Sequence, residues 1–243
     1  MNEKESKTKK YIMIAMVSVV IFGIQFISSR FGWLISQKFD CSSIDKDGLF
    51  AQVAIHHIVQ ALFAILFIIF LGKIMKIDGF KLRPQFDPAG VRYTVIFCIA
   101  ILIYHLIIYI VGFFFASINT YDYELNAINV LGTLGFQLFL SGPSEEILFR
   151  SLPITWLLSC VKAETKKESA IVVVIAAFLF GLGHINFTTF YIPWFQVGYA
   201  FVLGLVYGFV FINSNSIIYP MIMHSMSNVI SVGGCYVFME LTK

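Results

Sequence analysis

Charge is what this sequence has least of. Only 13% of its 243 residues are Asp, Glu, Lys or Arg, whereas a soluble domain carries about a quarter. With 58% hydrophobic residues, that scarcity excludes an ordinary water-soluble globule. It points to an all-α fold, a polytopic bundle of transmembrane helices with the lipid bilayer as its first partner. No block of Arg and Lys interleaved with aromatics is present, so nucleic acid is not an expected partner. The four cysteines, Cys41, Cys98, Cys160 and Cys235, lack metal-ligand spacing. Cys41 and Cys235 fall on one outer side, where a disulfide could form, but free thiols are the plainer expectation. No long polar stretch offers a second domain, so 1–243 reads as one integral membrane domain with 1–10 as a cytoplasmic tail. A small-residue cleavage site is not evident after the lysine-rich start, so the first apolar stretch reads as a retained helix.

A membrane-spanning helix needs about 20 mostly apolar residues. Seven such segments are legible, near 11–29, 48–72, 92–117, 128–160, 169–186, 191–213 and 217–238. Splitting the long fourth segment would make eight. That segment contains Gly142-Pro143 and Pro153. Proline removes a backbone donor and crowds the preceding turn, so a break or kink is expected just before Glu145. With the amino terminus inside, twelve of the sixteen Lys and Arg other than Arg150 fall in inner loops, Lys162, Lys166 and Lys167 among them. This bias favours a cytoplasmic amino terminus. The loop 78–88, with Pro84 and Pro88, reads as a cytoplasmic linker or surface helix. Gly204 and Gly208 form a G-x-x-x-G pair, expected to pack helices within the chain.

Against this background Glu145, Glu146 and Arg150 stand out, because each lies inside an apolar run. An ionisable group at that depth is expensive and is a functional-site hypothesis by default. Glu146 and Arg150 are four apart and share a helix face; Glu145 points roughly 100° away. A salt-bridged pair would therefore leave Glu145 free. The polar loop after segment four centres near Glu164, with Glu145 nineteen residues before it and His184 twenty after. An antiparallel hairpin would bring the two level, as a carboxylate and imidazole sharing one water require. His224 and Asn228 share a face of segment seven, where two donors could serve an oxyanion. A segment beginning near Ile217 would, however, leave His224 shallower than Glu145. His56, His57 and His105 read more simply as histidines hydrogen-bonded to a neighbouring helix.

Three motifs now line up: Glu145-Glu146-Ile-Leu-Phe-Arg150, Phe180-Gly-Leu-Gly-His184 and His224-Ser-Met-Ser-Asn228. They resemble, in order and placement, the E-E-x-x-x-R, F-x-x-x-H and H-x-x-x-N motifs of the CPBP family, the CAAX prenyl protease and bacteriocin-processing (Abi) group. The resemblance spans roughly Ser141 to Asn228, and it places the catalytic core at 128–238. It implies a metal-independent intramembrane endopeptidase needing no cofactor, with a membrane peptide or protein as substrate. Glu145 would activate water with His184, and His224 and Asn228 would hold the oxyanion. Glu146, Arg150 and Phe180 would be supporting residues. Eukaryotic members have eight membrane helices, one more than counted here. Peptide or leader processing, or bacteriocin self-immunity, ranks above cleavage of prenylated substrates. Two alternatives stay open: a zinc protease using Glu145, His184 and His224 as ligands, and a non-catalytic immunity or scaffold protein.

Overall fold

The computed structural model describes residues 3–115, 118–161, 165–186, 189 and 191–243. Lys162, Glu164 and the end of the third expected segment lie outside the described residues. Each of the seven apolar segments becomes a helical rod: α1 (Glu3–Ser36), α2 (Ala51–Ile74), α3 (Pro88–Phe115), α4 (127–161), α5 (Lys166–Leu182), α6 (Trp194–Asn213) and α7 (Ile218–Leu241). Among the described residues four helices are long and apolar enough to cross a membrane: Thr8–Ser36, Ala51–Ile74, Pro88–Phe115 and Trp194–Asn213. The other three rods are shorter or bear the polar side chains described below. Large apolar side chains such as Leu102, Ile103, Leu106, Ile107 and Phe113 face outward on α3, an arrangement suited to lipid and not to water.

The helix pairs α1–α2 and α5–α6 pack along their lengths, α3 lies on α7, and the middle of α4 is wedged between α2 and α7. The main core joins Val17 and Ile21 of α1, Leu71 of α2, Leu148, Leu152 and Trp156 of α4, and Ala176 and Phe180 of α5. The G-x-x-x-G pair packs internally as expected. A Cβ on Gly204 would lie 3.1 Å from Ala177, and one on Gly208 would lie 2.7 Å from Val173. The four cysteines are free thiols.

One expectation needs correction. Of the break or kink expected before Glu145, no break occurs. Backbone angles stay helical from Phe136 through Leu152, and the strain is absorbed by two wider π-turns, Gln137–Ser141 and Ile147–Ser151. Each π-turn ends two residues before a proline, Pro143 or Pro153. Proline cannot donate to the carbonyl four residues back, and its ring crowds that carbonyl. Widening the turn ahead of it accommodates the ring without ending the helix. Of the two forms expected for 78–88, linker or surface helix, the chain takes the linker, with no helix before Pro88. The coil is pinned to the core. Ile77 and Phe80 are buried, and Ser151 Oγ donates to the Phe80 carbonyl at 2.5 Å. Lys81 Nζ donates to the Phe211 and Ile212 carbonyls at 3.2 and 3.3 Å, neutralising the negative end of α6.

Candidate active site

The centre of α4 carries the site. Between its two π-turns lies one ordinary turn, Gly142–Glu146, and this turn presses against α7. A Cβ on Gly142 would stand 2.5 Å from Ser225 Oγ, 2.8 Å from Ser225 N and 3.0 Å from the Met221 carbonyl. Only glycine permits that approach. It delivers His224, which sits between Met221 and Ser225, to the acidic pair. The depth mismatch anticipated for His224 therefore does not arise.

The two glutamates part as their helical angle requires. Glu146 is fully buried, and its Oε2 lies 3.3 Å from Arg150 Nε. Its Oε1 lies 2.8 Å from His224 Nδ1. The guanidinium of Arg150 is also fully buried. Its carbon sits 4.2 Å from the Phe180 ring centroid and 5.5 Å from that of Tyr207. Its nitrogens have no well-aligned hydrogen bond, so the cation is held by the carboxylate and two aromatic faces. Desolvated contacts of that kind are worth about 2 kcal/mol. Tyr207 also stacks on His224, with centroids 5.2 Å apart and planes 21° apart.

Glu145 faces the other way and keeps 18% of its side chain exposed. Its Oε2 is 3.5 Å from His224 Nε2. Its Oε1 is 3.8 Å from Nε2 of a residue from α2, His57. His184 packs edge-on against the Phe180 ring at 4.9 Å, the same ring that His224 meets at 5.6 Å. However, it is not among the imidazoles within 4 Å of that carboxylate. Its Nδ1 bonds the Phe180 carbonyl at 3.0 Å. A carbonyl only accepts, so Nδ1 donates this bond and Nε2 is left for another partner. Asn228 Nδ2 donates to Ser141 Oγ at 3.0 Å, which ties α7 to α4 one turn from His224.

The geometry thus gathers Glu145, Glu146, Arg150, Phe180, His224 and Asn228 around one point, with His184 at its rim. Two contributors were missed. Tyr207 carried no signal beyond being an aromatic in an apolar helix. His57 had been read as a simple inter-helix histidine. A weak signal existed: His57, Gln60, Ala64, Ile68 and Leu71 are the buried face of α2, and the first two are polar at the depth of the site. Among the described residues no group of three His, Cys, Asp or Glu side chains is arranged to hold a metal ion, so the set Glu145, His184 and His224 does not converge as ligands.

An acidic pair, two flanking imidazoles and a buried guanidinium thus lie together at the heart of an apolar helical bundle. Residues 127–230 match the family described as Type II CAAX prenyl endopeptidase Rce1-like. That match supports the likeness to the CPBP family carried by the three motifs. Together with the apolar helices it supports a multi-pass, CAAX-protease-like membrane protein. No curated protein and no solved structure matches the chain.

Proposed function

We propose that this chain is a glutamate-type intramembrane endopeptidase that needs no metal, and that it cleaves membrane-associated peptides or leader segments. The observation that carries the reading is the inequality of the acidic pair. Glu146 is consumed by Arg150 and His224, whereas Glu145 is partly exposed and flanked by imidazole nitrogens. In this reading Glu145 takes a proton from water, and the resulting hydroxide attacks the scissile carbonyl. His184, its Nδ1 held by the Phe180 carbonyl, orients that water through Nε2. His224 and Asn228 stand on the α7 side, where the carbonyl oxygen gains charge.

The Glu146 contact limits what His224 can do. Glu146 accepts the proton on Nδ1, so Nε2 donates to an oxyanion only in the doubly protonated ring.

The test compares membrane peptides in cells producing the wild type and Glu145→Ala. The expected result is full-length precursors accumulating only in the variant, with both proteins present in the membrane at equal levels. Undiminished cleavage by Glu145→Ala sinks the proposal. A full cellular phenotype without any cleavage would transfer the role to non-catalytic immunity or scaffolding.

A further inference from the structure

His57 lies on α2, outside the residues that match the family, and none of the three motifs contains it. Its position is nonetheless fixed on every side. α2 starts where the Asp45 carboxylate accepts the backbone N–H groups of Leu49, Phe50 and Ala51 at 2.7, 2.9 and 2.6 Å, a strong cap. Alongside His57, Gly32 of α1 approaches the His56 backbone so closely that a Cβ would lie 2.8 Å from its Cα. The His57 ring packs edge-on against Phe136 at 5.0 Å. It is 7% exposed.

The polar contacts of the ring admit a tautomer with its proton on Nδ1. Ser144 Oγ donates to the Ser141 carbonyl at 3.1 Å. With the single hydroxyl proton placed there, the 2.6 Å contact between Ser144 Oγ and His57 Nδ1 is donated by Nδ1. In that tautomer the neutral ring keeps its lone pair on Nε2. That nitrogen faces Glu145 Oε1 at 3.8 Å. Two facing lone-pair groups have no attraction of their own. They become partners once a proton stands between them.

Resting on the endopeptidase reading above, we propose that His57 is a positioning residue of the site, acting through Glu145: it holds the carboxylate's orientation and takes over its proton between the two halves of the reaction. Water gives a proton to Glu145 and the hydroxide adds to the carbonyl carbon. The proton passes from Glu145 to His57 Nε2, so the carboxylate is again ionised while the tetrahedral intermediate exists. It then returns through Glu145 to the leaving amine nitrogen as the C–N bond breaks. One proton leaves water and one reaches the amine, and no other reactant is needed. Ser144 contributes by locking the acceptor on the Glu145 side.

The experiment uses the full chain in lipid nanodiscs. Nitrogen-15 spectra of labelled histidine are expected to show neutral His57 protonated at Nδ1, with the Nδ1 preference lost in Ser144→Ala. A proton resident on Nε2 overturns the proposal, and no substrate is needed to see it. In parallel, His57→Gln is assayed on an internally quenched farnesylated peptide ending in a CAAX sequence. Glutamine keeps a donor for Ser144 but has no basic nitrogen to take a proton from Glu145. A purely structural His57 would therefore leave this variant active. The expected result is kcat lowered roughly 100-fold with KM and Tm unchanged, and wild-type kcat in His57→Gln overturns the inference. The two readings fail separately. An active Glu145→Ala removes the endopeptidase reading itself, whereas an inactive Glu145→Ala beside a fully active His57→Gln removes only the role of His57. If the peptide is not cleaved, the spectra decide alone.

Discussion

Glu145 and Glu146 are neighbours in sequence, identical in chemistry and opposite in circumstance. Glu146 is sealed in a dry compartment with Arg150, Phe180, Tyr207 and one nitrogen of His224. Glu145, one helical step away, opens toward His57, the other nitrogen of His224 and, farther off, His184. The imidazole of His224 bridges the two, touching Glu146 through Nδ1 and Glu145 through Nε2. The comparison teaches that a membrane helix can divide one polar cluster into a supporting half and a reactive half by rotation alone. A carboxylate that has a buried cation for a partner is stable and unreactive; its neighbour without one is the group left to do chemistry.

Breaking the reactive half should give the largest effect. Glu145→Gln is expected to reduce peptide cleavage by roughly 10,000-fold, equivalent to about 5.5 kcal/mol of barrier. The thermal unfolding midpoint in detergent should hardly move, because glutamine keeps the shape of the side chain and leaves no buried guanidinium without its carboxylate. Breaking the supporting half should invert that pattern. Arg150→Met leaves Glu146 charged and buried with only His224 beside it, and removing one partner of a buried pair costs about 3–5 kcal/mol. The expected readout is a lower unfolding midpoint and reduced accumulation in membranes. The double variant Glu146→Leu with Arg150→Met should recover much of that stability, since exchanging a whole buried pair for apolar groups is often nearly neutral. Cleavage should stay low in the double variant, because His224 loses the acceptor that fixes its ring. If stability does not recover, the pair is not what isolates Glu146.

A subtler test separates the two halves by position. Gly142→Ala adds one methyl at the crossing of α4 and α7, where two of its three nearest atoms are backbone. The side chain of Ser225 can turn away, but the Met221 carbonyl and Ser225 N–H cannot. Overpacking of this kind costs about 1–3 kcal/mol. The helices must separate by a fraction of an ångström, and that moves His224 relative to both glutamates. Small misplacements of reacting groups lower rates by roughly 100-fold. Activity should therefore fall further than stability, and a proportional fall in both would argue that the crossing serves folding alone.

The sequence made the helical bundle and one side of the site legible for physical reasons. Apolar runs of spanning length leave little choice but helices, and each of the seven became one. Charges inside such runs are so costly that Glu145, Glu146 and Arg150 announced themselves. Four-residue spacing then placed Glu146 with Arg150 and His224 with Asn228 on shared faces. What escaped was anything requiring contact between segments far apart in the chain. His57 looks the same in sequence whether it meets lipid-facing backbone or a carboxylate. The effect of Pro143 was misjudged because a proline strains the turn before it, and whether that turn opens or merely widens depends on what packs there. Here α2 and α7 hold the rod on both sides, and widening wins. The coil near Lys81 was likewise read from its charge and prolines, while its anchors on α4, α6 and α7 lie more than 60 residues away.

The smallest predicted effect probes the same limit. His105 and His57 are both 7% exposed, both lie in apolar helices, and both fall outside the family-matched region. They differ in what their rings meet. His105 Nδ1 bonds the Ile101 carbonyl of its own helix at 3.0 Å, and its ring packs against Tyr104 and Tyr109; no carboxylate is among these partners. The bond to a local carbonyl uses Nδ1 as a donor and offers the ring no acid to exchange a proton with. His105→Phe keeps the planar ring and its aromatic neighbours and removes one hydrogen bond, a net change of about 1 kcal/mol. Cleavage should remain at the wild-type rate, with only a slight drop in the unfolding midpoint. Loss of activity in His105→Phe comparable to that in His57→Gln would mean that burial of a histidine in this bundle matters irrespective of its partner, and the contrast between the two halves of the acidic pair would lose its chemical basis.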